Sequence, residues 1–231
     1  MASGHTVRSF DEELAHVERL IREMSELAGA MVQAATRSLI ASDNDAAQRV
    51  VSDDALMDAR EREVDEAAIT LIARRQPVAQ DLRAVVGAIR MAADLERIGD
   101  LAKSIAKRVS AVGQGATPRS HAHSIETMSE LVLAQVRGVV DRYAARDAAG
   151  LAALRERDED IDIQYTTVFR ELLTYMMEDA RNISTCTHLL FCAKNLERIG
   201  DHATNIAENA YYVVTGSLLP AERPKRDETG E

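Results

Sequence analysis

The hexapeptide Leu-Glu-Arg-Ile-Gly-Asp stands at residues 95–100 and again at residues 196–201. A string of this length recurring in one chain ties two segments to one local structure, and other landmarks recur with it. Asp43 and Asp147, each placed to cap a helix, lie 104 residues apart, whereas Glu96 and Glu197 lie 101 apart. The second copy is therefore three residues shorter, and the difference falls near its second hairpin. This period is far longer than the ~20–50 residues of a solenoid unit. It describes a duplicated domain, and 231 residues suit two domains of about a hundred residues each.

Each copy reads as helices. Phe10, Leu14, Val17, Ile21, Met24, Ala28, Met31 and Ala35 recur at spacings of three and four, the mark of one apolar helical stripe. Ser42-Asp43-Asn44 ends that helix, and a second runs from the Asp43 cap to about Arg75. Pro77 suits the first position of a third helix, which continues to about Val112. The stretch Gly113-Gln114-Gly115-Ala116-Thr117-Pro118 is the clearest linker. A fourth helix then carries Ile125, Met128, Val132, Val136, Val139 and Tyr143. Asp147 caps a fifth and Asp179 a sixth, which ends near Gly216. The expected fold is all-α, a tandem of two antiparallel three-helix bundles over residues 9–112 and 119–216, with a disordered tail at 217–231. Composition agrees: 46% hydrophobic residues supply a core, while 3% aromatics, no Trp and few Gly or Pro argue against a β-sandwich.

The carboxylates carry the chemical signal. Glu96 and Asp100 are four residues apart, as are Glu197 and Asp201, so each pair shares one helix face. Like charges at that spacing cost about 0.2–0.5 kcal/mol, and the glycine inside each string, Gly99 or Gly200, costs about 1 kcal/mol relative to Ala. The chain accepts both costs twice. Asp54/Asp58 and Asp158/Asp162 repeat the pattern on the preceding helices. In an antiparallel hairpin, residues equidistant from the turn lie side by side. The midpoint between the Asp54/Asp58 and Glu96/Asp100 pairs falls on Pro77, and the corresponding midpoint in the second copy falls at Asp179-Ala180, both expected turns. Each copy thus brings four carboxylates to one level. Oxygen-only donors suit hard cations: magnesium, manganese or iron, with zinc also compatible with carboxylate ligands. Asp158 also occupies the seven-residue series of Leu151, Tyr165 and Leu172, so it should be partly buried and in need of a partner. Glu61/Asp65 falls past the turn-centred level and reads as a surface feature.

Plainer readings stand beside this one. A single acidic pair on an acidic helical protein is ordinarily a solvated face, and Arg97, Arg198, Arg62 or Arg157 could neutralise some of the acids. Gly99 and Gly200 serve either the site or a close helix approach. Glu13-x-x-His16 matches half of a di-iron motif, but such sites need two copies of it and two further glutamates. His121, His123 and His202 carry no motif. A formal net charge of −10 without a basic stripe argues against nucleic-acid binding. Cys186 and Cys192 point to different sides of one helix and should remain thiols, as in a reducing cytoplasm. No signal-peptide pattern and no apolar run of membrane-spanning length is present, so membrane association is expected only through partners.

With these motifs in place, the chain resembles the PhoU family over roughly residues 9–216. The resemblance rests on RQPVAQDLR (75–83), AADLERIGDLAKSIAKR (92–108), the Asp158–Asp162 pair and KNLERIGDHATNIAENAYYVVTG (194–216). It implies two three-helix bundles, often as a homodimer, with metal on Asp54, Asp58, Glu96 and Asp100 and on Asp158, Asp162, Glu197 and Asp201. Asn205 matches the family's extension of the second set, whereas its first-copy counterpart is Ser104, a departure that puts the extra ligand there in question. The resemblance also implies a cytoplasmic, non-enzymatic negative regulator of the phosphate regulon. Such a protein links the ATPase subunit of the phosphate ABC transporter to a sensor histidine kinase. The alternatives are a metalloenzyme using the same clusters and a plain helical scaffold.

Overall fold

The computed structural model describes residues 3–113 and 119–219, with side chains over 10–113 and 122–219. The expected linker residues 114–118 and tail residues 220–231, and the side chain of His121, lie outside the described residues. The first bundle consists of α1 (Ser3–Ala41), α2 (Asn44–Arg75) and α3 (Ala79–Ala106), followed by a single turn, α4 (Val109–Val112). The second consists of α5 (Arg119–Ala144), α6 (Ala148–Glu156), α7 (Asp158–Glu178) and α8 (Ile183–Thr215), with a 3₁₀ turn at Ala180–Asn182 before α8. Among the described residues there is no strand.

The caps fall where the sequence places them. Asp43 accepts from the Ala46 amide at 2.9 Å and Asp147 from the Gly150 amide at 2.9 Å, each satisfying one orphan donor of a helix start. Gly216 takes a left-handed conformation, φ 76°, and closes α8 with its amide on the Tyr212 carbonyl. Three boundaries differ from expectation. Pro77 lies in the connection rather than inside α3: Gln76 closes α2 in a left-handed conformation, and extended Val78 precedes α3 at Ala79. The third helix breaks at Lys107–Arg108, and the turn beyond it buries Val109 and Val112. The fifth helix breaks at Arg157, so the two segments bury Leu151 and Leu154 before the break and Asp158 and Ile161 after it.

One continuous core runs through both bundles. The stripe of α1 is buried from Val17 to Leu39, and α1 packs against α2 and α3 on one side and α5 on the other. The α3 and α8 helices pack along each other and form a second seam between the bundles. Polar contacts hold both seams. The buried Ser129 hydroxyl donates to Thr36 at 3.1 Å between α5 and α1, and His202 of α8 pairs with Asp94 of α3 at 2.9 Å. Arg108 lies over the Phe191 ring, 4.3 Å from its centroid, and contacts His188 at 3.2 Å. Both cysteines are buried free thiols, and burial pushes Cys192 up to about 12.

Glycine sets how closely these helices approach. At Gly87 a Cβ would overlap the buried Val213 side chain across the α3–α8 seam. At Gly99 a Cβ would meet Met57 Cγ at 3.1 Å, and at Gly200 it would meet Ile161 Cδ1 at 2.9 Å. Met57 and Ile161 are counterparts at the 104-residue offset, and each flanks an acidic pair. Of the two readings left open for the LERIGD glycines, the structure shows the close helix approach: each glycine admits a side chain of the neighbouring helix. Ala in a helix is favoured over Gly by about 1 kcal/mol, against which overpacking costs roughly 1–3 kcal/mol. Gly99→Ala, facing a flexible Met, should be close to neutral. Gly200→Ala and Gly87→Ala, facing β-branched neighbours, should lower the melting temperature by roughly 2–4 °C per net kcal/mol lost in a chain of this size. Equal melting of all three variants and the parent would show that the glycine gaps carry no packing constraint.

Candidate metal centres

Sequence spacing nominated two sets of four carboxylates, and the hairpins turn at residues 76–78 and 179–182, at the midpoints of those sets. In the first set, α2 presents Asp54 and Asp58 and α3 presents Glu96 and Asp100. All four are partly buried. Lys103, one turn beyond Asp100, places its Nζ 2.5 Å from Asp54 Oδ2 and 3.2 Å from Asp100 Oδ1. The ammonium thus spans the two helices, and the Asp54 hydrogen bond is the largest cause holding its pKa above the usual lysine value. Arg97 lies along the outer edge, 3.5 Å from Glu96 and 3.3 Å from Asp100.

Glu96 sits deeper. Burial raises its pKa, the Asp100 charge raises it further, and Arg97 opposes both. Glu61 and Asp58 add to the repulsion from α2. Glu61 is raised in turn, by burial first and then by Asp65, with Asp58 contributing and Arg97 opposing. Glu61 thus belongs to the same electrostatic neighbourhood, although its pairing with Asp65 placed it past the level. The signal lay in its other spacing: it follows Asp58 by three residues and shares that face.

The second set is built differently. Asp158 is 5% exposed and turned inward: the Thr204 hydroxyl donates to its Oδ1 at 3.1 Å, and Gln135 of α5 donates to Thr204 at 2.9 Å. The burial anticipated from its place in the apolar series is therefore present, with a buried polar network as the compensating partner. Asp162, Asp201 and Asn205 stand exposed on the outer face. Glu197 is mostly buried. Lys194, on its own helix, reaches Oε1 at 2.5 Å, while Oε2 is buried with no hydrogen-bond partner. Thr204 stands at the position of Lys103 when the LERIGD strings are superposed. Neither Thr204, Lys103 nor Gln135 was singled out by the spacing analysis.

Among the described residues, no three Asp, Glu, His or Cys side chains converge closely enough to enclose a metal ion. The donor chemistry of the second set fits a hard cation even so, because it is all oxygen and includes the orphaned Glu197 Oε2. In the first set the ammonium of Lys103 stands between the two acids that would have to share an ion. The Glu13-x-x-His16 motif builds no site: Glu13 is engaged by Arg75 at 2.8 Å, and its pKa is lowered chiefly by that hydrogen bond. Exposed His16 contacts Arg19 instead, and His123 is exposed.

Comparison with known proteins follows the same division. A sequence profile described as the PhoU domain matches residues 21–109 and again residues 125–210. A phosphate-specific transport system accessory protein PhoU homolog of Rhizobium meliloti (strain 1021) is 56% identical, with 99% of this chain and 97% of the relative covered. A homolog of the same description from Caulobacter vibrioides (strain NA1000 / CB15N) is 44% identical, with 96% of this chain and 97% of the relative covered. The crystal structure of PhoU from Pseudomonas aeruginosa superposes with a TM-score of 0.85 at 37% identity, covering 90% of this chain and all, 100%, of that one. The phosphate transport system regulatory protein PhoU from Streptococcus pneumoniae superposes with a TM-score of 0.83 at 26% identity, covering 91% and 99% of the two chains. From the twin profile matches, the near-complete coverage and the shared architecture, it follows that this chain belongs to the PhoU family.

Proposed function

We propose that the chain is a cytoplasmic, non-enzymatic negative regulator of the phosphate regulon. In this reading it modulates phosphate uptake by bridging the ATPase subunit of the phosphate ABC transporter and a sensor histidine kinase. The observation that carries the reading is the near end-to-end identity with relatives described as accessory proteins of the phosphate-specific transport system. The surface supports an adaptor. Ile69, Val78, Leu82 and Val86 lie exposed near the turn of the first hairpin, and Phe169, Leu173, Met177 and Ile183 near that of the second. Exposed apolar residues grouped on helix faces are what helix-face docking requires. No described helix is long and apolar enough to cross a membrane. In this reading the contact with the transporter is made on its ATPase subunit. A homodimer would present these faces twice.

In the same reading a hard cation binds the second acidic set through Glu197, Asp162 and Asp201, with Asn205 one turn beyond, and fixes the angle between α7 and α8. The ion supplies positive charge that these acids cannot supply to one another. The chain's own residues position the donors: Ile161 packed at Gly200 sets the helix spacing, and the Thr204–Gln135 network holds the α7 start against α8.

Three measurements test this. With Mn(II) as the probe, the Glu197→Gln/Asp162→Asn double variant should bind at least ten times more weakly than the parent and lose any Mn(II)-dependent rise in melting temperature. Equal affinity in the two proteins would remove the metal assignment. In phosphate-replete cells, affinity capture of the chain should recover the transporter ATPase and the kinase, and Leu173→Glu/Met177→Glu should cut recovery several-fold. Deletion should switch phosphate-starvation genes on. Unchanged expression after deletion would overturn the regulatory reading.

A further inference from the structure

The two acidic sets occupy equivalent places in a duplicated fold, yet the residue facing the first Asp of each set differs in charge. In the first bundle Lys103 approaches Asp54, and in the second Thr204 approaches Asp158, the counterpart of Asp54. The contact is kept while an ammonium replaces a hydroxyl. Lys103 is 24% exposed and its Nζ also reaches Asp100, so it joins carboxylates of α2 and α3 across the space between the helices. The lysine of the second set behaves otherwise. Lys194 is 47% exposed, pairs with Glu197 within its own helix, and leaves Glu197 Oε2 buried without a partner.

We propose that Lys103 is a tethered cation that closes the first acidic set to metal, so that the duplicated fold carries one metal-responsive site and one permanently neutralised copy. The inference rests on the reading that acidic sets of this fold hold cations. Its chemistry is electrostatic exclusion. A divalent ion shared by Asp54 and Asp100 must displace an ammonium that is covalently attached, already bonded to those oxygens, and present at a far higher local concentration than free metal. In this account the first bundle keeps its α2–α3 angle at all metal levels, while α7–α8 adjusts.

The test is Mn(II) stoichiometry on the full chain, read by electron paramagnetic resonance of the free ion, with circular dichroism to check folding. Asp54→Asn in the otherwise unaltered chain should leave Mn(II) binding unchanged. Lys103→Thr, which installs the second bundle's residue, should create a class of sites at least tenfold tighter than any first-set binding in the parent, and adding Asp54→Asn should abolish it. Lys103→Arg should behave as the parent. Lys103→Gln keeps the stem and answers the same question if Thr lowers stability. No new site in either neutral variant overturns the proposal, as does a loss of Mn(II) on Asp54→Asn alone. A parent chain that takes no Mn(II), beside a Lys103→Thr chain that gains an Asp54-dependent site, refutes the second-set assignment while upholding the role of Lys103.

Discussion

The structure depends on how closely two helices of each hairpin can approach at one glycine. With a Cβ at Gly200, Ile161 could not keep its place, and at Gly99 Met57 would have to yield. Because these apolar residues lie between or beside the acids of the preceding helix, the contact that packs the core also aligns the charges outside it. Core and site are opposite sides of the same helix pair. The glycine costs helix propensity in exchange for a close approach, one that a methyl group would crowd against Ile161 at Gly200 and that Met57 can accommodate at Gly99.

The second dependence is the seam between the bundles. The chain does not fold as two beads on a string: α1 meets α5, α3 meets α8, and the main core cluster spans both bundles, with a smaller group of Ala68, Leu71 and Val85 beside it. The LERIGD helices are the very ones that meet there, since α3 and α8 carry the strings. Leu95, Ile98, Leu196 and Ile199 are buried, while Glu96 feels the charges of Asp58 and Glu61 on α2 and Glu197 pairs with Lys194 on its own helix. The α8 helix that packs on α7 also holds α3, through Gly87 against Val213 and through the Asp94–His202 pair.

Much of this was legible in the letters because it is local or periodic. Apolar spacing located the helices, Asp43 and Asp147 announced their caps, and equal distances from the turn put Asp58 opposite Glu96. The breaks at Lys107 and Arg157 were not legible. Glu-Arg-Asp-Glu-Asp at 156–160 holds no Gly or Pro to mark a break, although Asp158, Glu159 and Asp160 form the acidic first turn of α7 that a helix start favours. Lys103 was missed for a related reason. Three residues after Asp100 it looks like an ordinary surface pair, and its second partner lies 49 residues away. The inward turn of Asp158 was half legible: its place in an apolar series foretold burial, but its partner Thr204 on α8, and Gln135 of α5 behind that, came from elsewhere in the chain.

The break at Arg157 has a further consequence. It makes Asp158 the first residue of α7, at the end where aligned peptide dipoles amount to about half a positive charge. Its counterpart Asp54 lies well inside unbroken α2, where no such field is available. Two descendants of one ancestral carboxylate are therefore supported differently, by a lysine ammonium in one copy and by the Thr204 hydroxyl at a helix start in the other. A lysine can be lost in one mutation, whereas a helix terminus is held by the packing of a whole bundle. The copies have become specialised: the middle helix of the first bundle, moved into the second, would set Asp54 against Thr204 and leave its charge without an ammonium.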